Sequence, residues 1–399
     1  MSAWPIKELA HVATILRIGI NPRDIDGDTK YVGLENIESG GRIINVSTAE
    51  AAGIESQKYQ FTADHILYGK LRPYLAKIAR PNFGGVCSTD ILPIEPSPAI
   101  DRNYLCHFLS QPSMISKANA RATGVNLPRI NPAELGKFTL PVPPIAVQRR
   151  IAEVLDHVDA LREKRRKSIA LLDELAQSIF LDMFGAESSD WPVTPVENLA
   201  APRKNSIRTG PFGSQLLHEE FVEDGVAVLG IDNAVANEFR WSRRRFITEA
   251  KYRQLERYTV SPGDVLITIM GTCGRCAVVP DDIPKAINTK HLCCITLDRS
   301  KCIPEYLHSY FLQHPAAQRY LRQKAKGAIM SGLNMGIIKS LPVTIPPLQL
   351  QMRYAEQVRS VRESRATAER HLAHLDTLFS SLQSRAFRGE LWQDDLKDL

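Results

Sequence analysis

The sequence predicts an α+β fold built twice over: two pseudo-repeated mixed α/β domains separated by two long antiparallel coiled-coil helices. Three observations predict it. A segment of about 45 residues recurs at an offset of 203. Both copies carry a heptad apolar seam free of Gly and Pro. The stretches before each copy hold short β-rich runs punctuated by Gly, Pro, Asn and Asp.

The repeat is clearest from Pro143-Pro144-Ile145-Ala146-Val147-Gln148-Arg149-Arg150-Ile151-Ala152-Glu153 against Pro346-Pro347-Leu348-Gln349-Leu350-Gln351-Met352-Arg353-Tyr354-Ala355-Glu356. Without a gap, 14 of 42 paired positions are identical from Pro143 to Phe184. Upstream the pairing is looser. Trp4-Pro5 faces Trp191-Pro192, Ile66-Leu67 faces Val265-Leu266, Tyr104-Leu105 faces Tyr306-Leu307, and Gly124 and Asn131 face Gly327 and Asn334. A unit this long is a duplicated domain, not a solenoid repeat.

The first domain is expected at 1–142 and the second at 187–345, with long helices at 143–186 and 346–399. Each proline pair stops the preceding structure, and a helix can start just beyond it. In the first copy the seam is Ile151, Leu155, Val158, Ile169, Leu172, Ala176, Ile179 and Met183. In the second it is Tyr354, Val358, Val361, Ala368, Leu372, Leu375, Phe379, Leu382 and Ala386. Arg162 and Arg365 take the same seam position. Two matching seams suggest helices that pack on each other, antiparallel if a pseudo-two-fold axis relates the halves; the alternative is that each helix packs on its own domain. The basic run Arg162-Glu163-Lys164-Arg165-Arg166-Lys167 reads as a solvated helix face, or more sharply as a contact with DNA or a partner.

Composition bounds the function. The chain has 399 residues, 44% apolar and 24% charged, with a net charge of +6. That mild basic bias suits a polyanionic partner without demanding one. No apolar run reaches the 18 or so residues of a membrane span, and the start shows no signal peptide. Seven scattered cysteines fit free thiols in a cytoplasmic protein. Cys273-Gly274-Arg275-Cys276 lacks the second pair of a zinc ribbon, so buried thiols are expected and no metal. Pro280-Asp281-Asp282 with Lys285 is too tightly spaced for a nuclease metal site and reads as a turn. No phosphate-binding GxxxxGK[ST] loop, S-adenosylmethionine loop or catalytic Asn/Asp-Pro-Pro-aromatic loop is present. No catalytic residue is expected.

The duplicated frame carries Gln148-Arg149-Arg150-Ile151-Ala152-Glu153, Leu171-Leu172-Asp173-Glu174-Leu175, Gly210-Pro211-Phe212-Gly213-Ser214, Gly271-Thr272-Cys273-Gly274-Arg275 and Ala386-Phe387-Arg388-Gly389-Glu390-Leu391. In this order the chain resembles the DNA-specificity subunits of type I restriction–modification systems. The resemblance implies two target-recognition domains, each reading half of a split duplex site. It implies helices that set the half-site separation and dock two methyltransferase subunits, with restriction and translocase subunits joining the complex. S-adenosylmethionine, ATP and Mg would belong to those partners, with no cofactor in this chain. The first half departs from the pattern, having Lys30-Tyr31-Val32-Gly33-Leu34-Glu35-Asn36-Ile37 but no Pro-Phe-Gly-Ser, so the two domains should read different bases. The rival reading is a duplicated coiled-coil scaffold without DNA binding.

Base readout calls for Arg, Lys, Asn, Gln or hydroxyl side chains, with further cations on phosphates. The first domain offers Lys70, Arg72, Tyr74 and Lys77 in one group and Arg121, Thr123, Asn126 and Arg129 in another. The second offers Arg208, Thr209, Ser214, Gln215, Arg243, Arg244, Arg245, Thr272, Arg275, Lys324, Lys326 and Ser331.

Overall fold

The computed structural model describes residues 4–185, 190–242, 244–325 and 333–391. Two compact units emerge, and neither follows one continuous stretch of sequence. The first comprises 1–166 and 369–399, the second 167–368. The long helices Ile145–Phe184 and Leu348–Arg388 were expected as segments of their own. Each unit instead takes half of both, because the helix faces belong to the domain cores.

Both units share one wiring. In the first, a four-stranded sheet runs Ala13–Ile15, Ile91–Pro96, Ile66–Gly69, Ile78–Ala79. In the second the order is Ile207–Thr209, Leu292–Ile295, Val265–Thr268, Cys276–Val278. A second sheet in each unit holds a parallel pair, Lys30–Val32 with Gly85–Cys87 and Val226–Leu229 with Ala286–Asn288. The first unit adds an edge strand, Gly19–Ile20, beside Lys58–Phe61. Val265-Leu266-Ile267-Thr268 is buried at all four positions, as a strand covered on both faces should be. The loose upstream pairing of the sequence thus marks a full structural repeat.

The proline pair and glutamine are explained by one device made twice. Gln148 is buried at the start of its helix; its Oε1 accepts from Asp101 N at 2.8 Å, and its Nε2 donates to Ala99 O at 3.1 Å and Pro143 O at 2.7 Å. Gln351 accepts from Ile303 N at 3.1 Å and donates to Lys301 O at 3.1 Å and Pro346 O at 2.9 Å. Each amide satisfies backbone groups that proline and the helix start would leave orphaned.

In the first unit Ile151, Ala152 and Leu155 join a core with Tyr104 and Phe138, and Phe379, Leu382 and Phe387 pack against it. In the second, Phe180 and Phe184 join Tyr306, Tyr354 and Val358. The Arg162 Nε lies 2.7 Å from Asp376, with the guanidinium over the Phe379 ring at 4.5 Å. The Arg365 Nε lies 2.7 Å from Asp173. At the offset of 203, Arg162 corresponds to Arg365 and Asp173 to Asp376. The two ion pairs are therefore one contact with the helices exchanged, which is the arithmetic of an antiparallel pair. Arg162 is thus held in the seam rather than on a solvated face.

In the first unit Asp156 sits between His107 (Nε2 at 2.7 Å) and Arg80 (Nη2 at 2.7 Å). Burial opposes its ionisation, but those two hydrogen bonds outweigh it and hold its pKa at about 2. In the second unit His308 is buried, and its Nε2 faces the carbonyls of Asn237 at 2.8 Å and Cys276 at 3.2 Å, so that nitrogen donates. Burial first, then the charge of Arg362, brings its pKa down to about 4. Unfolded, the imidazole binds a proton below about pH 6.5, whereas folded it resists until about pH 4. The unfolded chain holds more protons in that window, so stability falls as pH drops through it, by about 3 kcal/mol at pH 4. Urea titrations from pH 7 to 4.5 should show that decline, and His308→Gln should flatten it. Equal slopes in both proteins would refute the assignment.

Candidate nucleic-acid interface

In the first unit the two candidate groups come together. The loop after strand Ile66–Gly69 is stitched to the hairpin Ala122–Thr123/Arg129–Ile130. Arg72 N donates to Pro128 O at 2.7 Å, and Ile130 N to Lys70 O at 3.0 Å. Arg129 grips Asp90 through Nε at 2.9 Å and Nη2 at 3.1 Å, and the Lys70 ammonium lies 4.0 Å from the same carboxylate. Lys77 donates to Leu34 O. These three cations are spent largely on positioning the loop. Arg121 stands exposed over the Phe138 ring at 5.5 Å, 3.9 Å from Glu134. Arg72, Tyr74, Thr123 and Asn126 face solvent. Arg72 is left-handed at φ +51°, which turns the loop sharply before Pro73.

The second unit corrects one expectation. Arg208 is 7% exposed and sits in the core. Its Nη2 lies 2.8 Å from Asp264, itself 1% exposed, and its Nη1 donates to Thr296 Oγ1 at 3.0 Å. A side chain so enclosed leaves the candidate set, because reaching DNA would abandon a buried carboxylate. Arg243, Lys326 and Ser331 lie outside the described residues.

The remaining candidates sort by position. Thr209 ends its strand, and the next residue, Gly210, donates to Thr289 O at 3.3 Å. Thr289 N in turn bonds Leu229 O, and Ile269 N bonds His291 O, each at 2.9 Å. Thr209, the loop bearing Thr272 and Arg275, His291 and the Gly230 turn therefore share one end of the unit. Arg245 joins them by pairing with Asp232 over Gly230. Ser214 and Gln215 are exposed on a short turn that Tyr258 Oη ties down through Gln215 Oε1 at 2.9 Å. Arg244 is exposed over Trp241 at 5.5 Å, and Lys324 stands on the helix Pro315–Ala325, over Tyr320 at 5.9 Å. Burial, then the charges of Lys290 and Arg245, lower the His291 pKa, which favours a neutral ring. Cys276, Cys293, Cys294 and Cys302 are buried, and burial raises each thiol's pKa. Among the described residues no trio of His, Cys, Asp or Glu is grouped to hold a metal.

One shared feature escaped the sequence reading. Gly33-Leu34-Glu35-Asn36 and Gly230-Ile231-Asp232-Asn233 form the same turn, in which the buried Asn accepts from the Gly N, at 2.7 and 2.9 Å. The Gly-x-acid-Asn spacing was its signal. The same strand end is also built twice. Lys70 N bonds Asp90 O at 2.9 Å just as Ile269 N bonds His291 O. One backbone frame thus carries Lys and Asp in one unit, Ile and His in the other.

A family model, the type I restriction modification DNA specificity domain, matches residues 2–171 and 232–372. The chain belongs to this family. It is 28% identical over 194 residues to the type I restriction enzyme EcoDI specificity subunit of Escherichia coli, covering 47% of this chain and 43% of that one. It is 23% identical over 354 residues to the EcoKI specificity subunit of Escherichia coli K12, covering 80% and 71%. The chain thus spans under half of the first relative and just over two thirds of the second. The type I restriction–modification S subunit of M. genitalium shares the fold, with a TM-score of 0.62 at 14% identity over 96% of each chain. Membership places the duplicated frame among type I restriction modification DNA specificity domains. No helix among the described residues is long and apolar enough to cross a membrane.

Proposed function

We propose that this chain is the DNA-reading subunit of a type I restriction–modification complex, recognising an asymmetric bipartite duplex site. The observation that carries this reading is the common backbone frame bearing different exposed side chains: the loop after the matching strand carries Arg72 and Tyr74 in one unit, Thr272 and Arg275 in the other. One frame gives one docking geometry; different side chains give different bases. The contacts are assigned to Arg72, Tyr74, Arg121, Thr123 and Asn126 in the first unit. In the second they fall to Thr209, Ser214, Gln215, Arg244, Arg245, Thr272, Arg275 and Lys324. Lys70, Lys77 and Arg129 act mainly by holding the loops. The paired long helices hold the half-site separation and dock two methyltransferase subunits, with restriction subunits joining the same cytoplasmic complex. S-adenosylmethionine, ATP and Mg chemistry belongs to those partners, and this chain catalyses no step.

The test is to express the chain with its methyltransferase partners and map modified adenines across the host genome. The expected outcome is a split asymmetric motif with methyladenine in each half. DNA affinity of the purified complex should also fall about a thousandfold or more between 50 and 200 mM salt, the behaviour of six or more phosphate contacts. A soluble complex with no motif and salt-indifferent binding would leave the scaffold reading in its place.

A further inference from the structure

The first unit exposes an apolar pair in an unusual place. The hairpin Ala122–Thr123/Arg129–Ile130 ends in Gly124-Val125-Asn126-Leu127-Pro128. At its tip Val125 is 100% exposed and Leu127 45% exposed. Among the described residues nothing covers Val125, and Leu127 is about half covered. The turn at the start of the tip requires glycine: Gly124 has φ +109°, and a Cβ there would lie 3.0 Å from Leu127 O. Below it, the Arg129–Asp90 pair and the Arg72 N to Pro128 O bond clamp the stem. Cations stand at the foot of this apolar tip. Arg72 makes no ion pair among the described residues, and Arg121 is exposed beside the stem.

A two-stranded ribbon fits the major groove, where the thymine methyl is the one apolar feature of the base edges. Cations at the foot of such a ribbon would lie towards the phosphates. A covering protein would instead bury the tip beside the Arg72 guanidinium, which has no acidic partner among the described residues. Resting on the DNA-reading function proposed above, we propose that the hairpin tip enters the major groove and reads a thymine methyl with Val125 and Leu127. Asn126, between them, is placed to hydrogen-bond the neighbouring base edge. These two aliphatic side chains are then specificity determinants that a search for polar readers passes over.

The experiment uses the full chain in complex with its methyltransferase partners and a duplex carrying the mapped site. Each thymine is replaced in turn by deoxyuridine, which lacks only the methyl group. At one position of one half-site the wild-type complex should lose about fourfold in affinity, the worth of one buried carbon. The Val125→Ala/Leu127→Ala complex should bind the natural duplex correspondingly more weakly and be indifferent to that replacement. Its response to replacements in the other half-site should match wild type. Both side chains are exposed, so its melting temperature should be unchanged; Val125→Thr, which keeps the shape and exchanges a methyl for a hydroxyl, serves as a second variant. Variants that respond to every deoxyuridine as wild type does would overturn the proposal. A wild-type complex with no split motif would instead sink the DNA-reading function itself.

Discussion

Replacing Arg208 with alanine should destabilise the second unit by about 3–5 kcal/mol while leaving the base preference of the folded complex unchanged. The cost does not come from losing an attraction. Asp264, 1% exposed, accepts from Arg208 Nη2 at 2.8 Å, Thr296 Oγ1 at 2.7 Å and Ser261 N at 2.9 Å. Removing the guanidinium strands that carboxylate in a medium that solvates it poorly. The first unit shows what does without the pair. By the matching ladders, Leu16 follows Ile15 as Arg208 follows Ile207, and His65 precedes Ile66 as Asp264 precedes Val265. His65 Nδ1 accepts from Thr62 N at 2.8 Å, as Asp264 does from Ser261 N. The double variant Arg208→Leu/Asp264→His should therefore recover more than half of the loss. Urea denaturation of the three proteins decides it. An Arg208→Ala protein of unchanged stability that methylates a different motif would return Arg208 to the DNA.

Gln148→Leu should cost the first unit about 3 kcal/mol, and Gln351→Leu the second unit a similar amount. Leucine fills much the same volume but leaves three backbone groups, one of them fully buried, without their side-chain partner in each case. Gln148→Glu should fall between wild type and leucine, since the carboxylate still accepts from Asp101 N but offers no hydrogen to Ala99 O or Pro143 O. Hydrogen exchange locates the effect. Amides of the helix Arg102–Leu109, whose N-cap residue Gln148 holds, should lose protection in the first variant, and those of Pro304–Gln313 in the second. Protection unchanged in both helices would show that the glutamines are not pinning them.

The duplication and the two helices were legible because both are written in local spacing. Prolines followed by a seam at steps of three and four mark a helix wherever the chain folds, and the repeat of Gln148 at Gln351 survives without knowledge of what either touches. The upstream half of the repeat was fainter, since short strands tolerate many apolar residues and only their ladders keep the register. The Gly33 and Gly230 turns went unnoticed because only Gly and Asn are identical, the acid between them being Glu35 in one and Asp232 in the other.

What the sequence by itself determined is the class of the molecule: a doubled α+β frame on paired helices, with DNA implied by the family resemblance and not by the mild positive charge. Only the tertiary structure decided which cations are available. Arg208 finds its carboxylate 56 residues away and Arg129 finds Asp90 39 residues away. An arginine in a candidate loop reads alike whether it faces water or a buried acid. The difference is a matter of desolvation and of partners that only the folded chain brings within reach, and the apolar pair at Val125 and Leu127 stands out only once the hairpin tip is found exposed.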